Sequence, residues 1–300
     1  MLEPAGADKA ILLRALRDCS RLNGIYHFSE VDPMWGWSEE FDICLFLELM
    51  LMLMVKSLEA RLKEISAEGM ADYFGIADLA PAKDAIAIQG GEWLRPYERA
   101  VVVGIRMFDD LVNKLPEHDK AVAIDYRHHC YDVLNLRLDQ LVSRLAGEVQ
   151  SQGHAVVPVP ASKRYDDENI CAVFSHKMAA HLAGLGWIGK SCMLITPDHG
   201  PRVRWASLLT NAPLSPTGIA VKQRCGTCRK CVEACPVSAF TGRNFDASEP
   251  REARFEARRC ENYFDQMEAK GEPSVCGMCV YVCPRGLRKG VPSPNSDTEP

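Results

Sequence analysis

No apolar run in this 300-residue sequence is long enough to cross a bilayer. The best candidate, Ile43 to Val55, is interrupted by Glu48 and closed by Lys56, whereas a membrane-spanning helix needs about 20 apolar residues. A strong charge of either sign is also missing. The formal net charge of -5 is too mild to select or exclude a class of partner. No twin-arginine or other export signal opens the chain, and Arg258-Arg259 is internal. With 47% hydrophobic and 25% charged residues, the composition is that of a globular chain of one large or two smaller domains.

Cysteine breaks this moderation. Of 13 cysteines, eight fall between Cys225 and Cys283. The first run is Cys225-x2-Cys228-x2-Cys231-x3-Cys235-Pro236, the spacing of bacterial ferredoxins, in which the fourth cysteine ligates the other cluster. The second run, Cys276-x2-Cys279-x3-Cys283-Pro284, has its first cysteine moved back to Cys260. Crossing the fourth cysteines assigns Cys225, Cys228, Cys231 and Cys283 to one [4Fe–4S] cluster. Cys260, Cys276, Cys279 and Cys235 then hold the other. Zinc also takes four thiolates, but its sites use separated Cys-x2-4-Cys pairs and need no Cys-Pro endings. Cys19, Cys44, Cys130, Cys171 and Cys192 are expected to be non-ligands. Eight cysteines in such a pattern, rather than disulfides, point to a reducing cytosol.

From Lys222 to Gly290 there are 13 Lys or Arg against nine Asp or Glu, so the cluster region is basic and the remainder acidic. Positive charge near an anionic cluster stabilises it and raises its potential.

The first 50 residues contain Trp35 and Trp37 but no clear periodicity, followed by a run containing Met50, Met52 and Met54. Regular helical spacing begins at Val55. Residues 1–54 are therefore either sequence upstream of the true start or a genuine amphipathic extension. Beyond them, Asp72 to Leu79 and Arg99 to Met107 read as strands. Asp132 to Gln150 is a helix, with Leu134, Leu138, Leu141, Val142, Leu145 and Val149 at intervals of three and four and Gly153 after its end. His154 to Pro160 is a strand barred from a central position by its prolines. Cys171 to Ala183 reads as helix, Met193 to Thr196 and Arg204 to Thr210 as strands, and Asn211 to Gly218 as a linker. These elements predict a mixed α/β domain over 55–218, a ferredoxin-like domain over 219–290 and a disordered tail over 291–300.

Gly184-Leu-Gly186-Trp187-Ile-Gly189-Lys190-Ser191 matches both G-x-G-x-x-G and G-x-x-x-x-G-K-S. Both nucleotide motifs need a strand before and a helix after, so that the helix N-terminus faces phosphate. Here a helix precedes and a strand follows. No acidic residue stands about 20 positions on, where a ribose ligand belongs. The glycines instead predict close approach of the backbone to a core strand or to a flat ligand.

The combination of Ala183-Gly-Leu-Gly-Trp-Ile-Gly-Lys190, Gly200-Pro-Arg-Val-Arg204 and the two cysteine runs resembles the epoxyqueuosine reductases and the corrinoid-dependent reductive dehalogenases over residues 55–290. The resemblance implies a nitroreductase-like α/β domain holding cobalamin beside a C-terminal two-cluster ferredoxin-like domain. Electrons would pass from an outer to an inner cluster and on to cobalt. It also implies corrinoid contacts from Gly184, Gly186, Trp187, Gly189, Lys190 and Ser191. The chain has no Asp-x-His-x-x-Gly signature, consistent with a base-off corrinoid lacking a protein ligand.

Three departures qualify the likeness. Where the queuosine enzymes carry Asp-Tyr-His, this chain has Tyr126-Arg-His-His129-Cys-Tyr131, so a proton donor is sought among Tyr126, His129 and Tyr131. His129 reads equally as an exposed histidine at a helix start. The helical-repeat segment that helps hold transfer RNA is not expected in the 16 residues after Pro284, nor is a leader, which suggests a short cytoplasmic relative. Two functions follow. One is a reductase of a small or nucleoside-like substrate, fed by a low-potential donor such as ferredoxin or flavodoxin, with transfer RNA a less favoured partner. The other is an electron carrier or corrinoid reductase without substrate chemistry of its own.

Overall fold

A computed structural model of the protein describes residues 56–286. The readings for residues 1–54, for Cys19 and Cys44 and for the 291–300 tail lie outside the described residues. Along the chain come α1 (Leu58–Glu68), β1 (Tyr73–Asp78), α2 (Lys83–Gly90), β2 (Arg99–Arg106), α3 (Asp109–Lys114) and α4 (Lys120–Arg127). A π-helical segment, His128–Val133, leads into α5 (Leu134–Ser151), β3 (Val156–Val159), α6 (His176–Leu182), β4 (Trp187–Ile188), β5 (Leu194–Ile195) and β6 (Val203–Thr210). The cysteine region adds α7 (Lys230–Glu233), α8 (Ala257–Ala269) and α9 (Met278–Tyr281). No helix among the described residues is long and apolar enough to cross a membrane.

Four strands form one antiparallel sheet in the order β1-β2-β6-β3. The central strand β2 is apolar on both faces because both are covered. Val101, Val103 and Ile105 pack with Leu62, Leu134, Leu138 and Leu145 of α1 and α5. Ala100 and Val102 face the second core with Ala179, Ala180 and Ala183 in or just after α6. β6 alternates in the same way, with Ala206 and Leu208 on one side and Val203, Trp205 and Leu209 on the other. The result is a helix–sheet–helix sandwich. Gly104 pairs opposite Trp205, and a Cβ there would lie 2.6 Å from the indole ring, so only glycine leaves it room.

The expected strands are present, and β3 with Pro158 lies at the sheet edge, where a missing N–H is harmless. Two boundaries differ. The long helix is continued backwards through the π-helical segment and α4, because its apolar faces keep contact with the core through Tyr126, Cys130 and Leu134. The helix expected from Cys171 begins only at His176. Asp166 and Cys171 form an isolated β-bridge, and Ser175 caps the helix by accepting from the Met178 N–H at 3.3 Å.

The residues after Thr210 return along β1, where Thr217 N donates to Ile76 O at 3.0 Å and Thr217 Oγ1 accepts from Ile76 N at 3.0 Å. The cysteine region then folds against the sandwich rather than away from it. Val275 and Val280 enter the larger core, and Arg258 Nη2 donates to the carbonyls of Asp167 and Glu168 at 2.9 and 3.0 Å.

Candidate functional site

The short turns of the cysteine region gather the eight thiols into two groups. Cys231 has Cys283, Cys225 and Cys228 as its charge neighbours. Cys260 has Cys276 and Cys235. Cys279 sits beside Cys276, Cys260 and Cys235 and also feels Cys231, so the two groups adjoin. These neighbours follow the crossed grouping expected from the spacing. Burial, helped by neighbouring thiols, pushes Cys231 up to about 12 and Cys260 and Cys283 up to about 11. Burial holds Cys279 well above the usual thiol range. Thiols raised in this way do not ionise at neutral pH unless a cation compensates them. That donor set fits iron, which binds them as thiolates and supplies the missing charge.

A cavity of about 390 Å³ opens beside this region, lined by Tyr131, His176, Lys177, Arg204, Trp205 and Val280 among others. Its size falls in the range of small-molecule pockets. No aspartate or glutamate lines it. Val280 follows Cys279 directly, so one wall belongs to a cluster loop. Met107 separates this cavity from a second, of about 510 Å³, that contains Arg106, Asp109 and Arg202.

Tyr131 stands in the π-helical segment, half-buried, with the Arg204 guanidinium 4.4 Å over its ring. Burial raises its pKa while Arg204 opposes the shift, so the phenol keeps its proton at neutral pH. Arg204 is steadied by Asn135 Oδ1, which accepts from Nε at 3.1 Å and from Nη2 at 2.9 Å. His176 Nε2 lies 3.0 Å from the Pro160 carbonyl and Nδ1 lies 3.1 Å from Ser207 Oγ. The carbonyl can only accept, so Nε2 carries the hydrogen and Nδ1 accepts from the serine. Burial lowers the His176 pKa to about 4. Both nitrogens are committed, which leaves no free axial donor on this ring.

The other candidates are placed differently. His129 is exposed and packs edge-on against Phe108 and His128, outside the cavity. Tyr126 is fully buried and contacts Tyr131 edge to face at 5.7 Å. The Gly184–Ser191 turn lines neither cavity. A Cβ on Gly186 would meet the Ile195 carbonyl at 2.4 Å, and one on Gly189 would meet the Ile195 side chain at 2.7 Å. For these two glycines the close protein neighbour is the strand β5. Lys190 is buried, and its Nζ donates to the carbonyls of Gly226 and Cys228 at 2.8 and 3.1 Å. Trp187 is buried, with Arg224 and Arg285 about 6.0 and 5.9 Å from its ring. Ser191 is buried beside them. The turn thus buttresses the loop of the Cys225 cluster.

Sequence reasoning missed His176, Lys177 and Arg204. Arg204 carried a signal, since it is the lone charge at the head of an otherwise apolar strand. His176 and Lys177 carried none, because their role comes from packing against Ser207, Pro160 and the Cys192 carbonyl.

Residues 224–286 match the family described as the 4Fe-4S double cluster binding domain. The chain carries such a domain. Over a longer stretch it is similar to the epoxyqueuosine reductase of Bacillus subtilis (strain 168), 31% identical over 126 residues, which cover 39% of this chain and 30% of that one. It is likewise 34% identical over 116 residues to the tetrachloroethene reductive dehalogenase of Sulfurospirillum multivorans, covering 34% of this chain and 22% of that one. These matches span a third or less of the curated relatives' length. A solved catabolic reductive dehalogenase shares the fold, with a TM-score of 0.55 at 20% identity over 76% of this chain and 31% of that one.

Proposed function

We propose that the protein is an iron–sulfur oxidoreductase that passes electrons through two [4Fe–4S] clusters to a corrinoid, and that the sandwich is of the nitroreductase-like class. The observation that carries this reading is the cavity whose wall includes Val280, next to Cys279. A group bound there lies against the second cysteine group. The double-cluster domain and the likeness to epoxyqueuosine reductases and a reductive dehalogenase support it. The cavity histidine, tied at both nitrogens, is compatible with a corrinoid that takes no ligand from the protein. We accordingly assign the corrinoid to this cavity rather than to the Gly184–Ser191 turn. When bound, a corrinoid supplies a strongly reducing metal centre.

The chain's own residues orient and protonate. Lys177, Arg204 and Arg251 give the cavity a cationic lining. Tyr131, held protonated at the rim, is the proton donor to a small or nucleoside-like substrate. Electrons enter at the Cys225 cluster, whose loop carries Lys222, Arg224, Arg229 and Lys230, all exposed, with no acidic residue from Val221 to Val232. That surface suits an acidic low-potential donor such as ferredoxin or flavodoxin.

The test is anaerobic titration with hydroxocobalamin, which should give a base-off spectrum, followed by turnover with epoxyqueuosine-containing transfer RNA and with small halogenated substrates. Tyr131→Phe should bind corrinoid normally and slow turnover by roughly 10²–10⁴-fold, the usual cost of losing a general acid. His129→Ala should retain turnover. Unchanged turnover in Tyr131→Phe would remove the phenol from the chemistry, and corrinoid binding without reduction of any substrate would make the protein an electron carrier.

A further inference from the structure

One buried group has no part in the scheme above. Tyr126 is 0% exposed, which removes it from contact with any substrate. Its hydroxyl has no hydrogen-bond partner among the described residues. An unpaired buried hydroxyl is costly, so folded proteins rarely keep one without a partner of some kind. The position is well defined, since Tyr126 lies in the last turn of α4 and its ring packs edge-on against Tyr131 at 5.7 Å.

What faces the hydroxyl is the second cysteine loop. Gly277 has φ 72°, and a Cβ at that residue would stand 3.0 Å from the Tyr126 oxygen and 2.6 Å from Leu115 Cδ1. Gly277 is the residue after Cys276 in Cys276-x2-Cys279. Its missing side chain leaves the phenol open to the loop that wraps the cluster. Cys279 is close enough for its charge to act on the phenol. Cysteine thiolates and cluster sulfides are acceptors, and both are abundant here once iron is bound.

We propose that the Tyr126 hydroxyl donates a hydrogen bond to a sulfur of the cluster held by Cys235, Cys260, Cys276 and Cys279, and so raises that cluster's reduction potential. A donor aimed at cluster sulfur stabilises the electron-rich reduced state more than the oxidised one. Tyr126 is thus a tuning residue of the cluster beside the cavity, not a proton donor to substrate. A thiol assigned to the same cluster already has one such contact, from Ala239 N to Cys235 Sγ at 3.3 Å. The inference rests on the clusters alone and not on the corrinoid or the substrate.

The experiment is a potentiometric titration of wild type and Tyr126→Phe, followed by electron paramagnetic resonance, on protein with full iron and sulfide content. One cluster's midpoint should move negative in the variant while the other stays in place. A tenfold weaker preference for the reduced state corresponds to about 59 mV for one electron. Two unchanged midpoints, or a shift confined to the Cys225 cluster, would overturn the proposal. Should the variant fail to load iron, electron–nuclear double resonance on reduced wild type exchanged into heavy water decides the matter. A strongly coupled exchangeable deuteron with hydroxyl character at that cluster supports the proposal, and its absence sinks it.

Discussion

His176 shows how a single residue can be read from its partners. It donates to the Pro160 carbonyl, accepts from Ser207 and is kept neutral by burial, with its pKa lowered to about 4. In the unfolded chain its pKa returns to about 6.5. Between these values the unfolded state binds the proton and the folded state does not, so stability rises with pH across that window and is lost as pH falls through it. The loss amounts to at most about 3 kcal/mol by pH 4. Urea unfolding at pH 7 and at pH 5.5 should therefore show a smaller pH dependence in His176→Gln than in wild type. An equal dependence in both would mean that the ring is protonated in the fold.

At the scale of elements, two glycines with opposite surroundings make a paired test. Gly147 lies on the exposed face of α5, and nothing stands within 4 Å of a Cβ built there. Gly147→Ala should stabilise the protein by about 0.4–1 kcal/mol through helix propensity and reduced unfolded-state entropy. Gly186 precedes β4, where a Cβ would press on the Ile195 carbonyl at 2.4 Å. Gly186→Ala should cost about 1–3 kcal/mol and loosen the β4–β5 hairpin against the Cys225 loop. Thermal melts of the two variants should move in opposite directions. The periodicity of α5 was legible because its buried positions, Leu134 to Val149, repeat with the helix. The true start of α6 was not, since Cys171 to Phe174 is as apolar as a helix face but is drawn into a bridge with Asp166.

Across the whole molecule the two cysteine groups adjoin, and each has a neighbour from the other run. Cys235 follows the first run yet sits with Cys260, Cys276 and Cys279, and Cys283 ends the second run yet sits with Cys225, Cys228 and Cys231. Wild type should contain about eight irons and eight sulfides. Cys235→Ser should perturb the cluster of the second run, and Cys283→Ser that of the first, as seen by the signal each variant retains. Cys130, Cys171 and Cys192 should be replaceable without loss of iron. The cationic face around the Cys225 loop makes a second prediction at this scale. Reversing Lys222 and Lys230 to glutamate should slow reduction by an acidic donor and flatten its salt dependence, since steering between opposite charges is screened over about 10 Å at 0.1 M salt.

Spacing along the chain was enough to group Cys225, Cys228 and Cys231, which share one short stretch of chain, whereas Cys260 stands outside its run and is carried by α8. It was also enough for the strands and for α5, whose periods of two and 3.6 reflect which side of each element is buried. The cavity is a different matter. Tyr131, His176 and Arg204 come from three separate elements and meet only when the sheet brings β6 under the π-helical segment and α6. The same packing turned the Gly184–Ser191 motif inward, against Ile195 and the Cys225 loop, and buried Tyr126 over Gly277. Such roles depend on what lies across a core from a residue, and no interval along the chain records that distance.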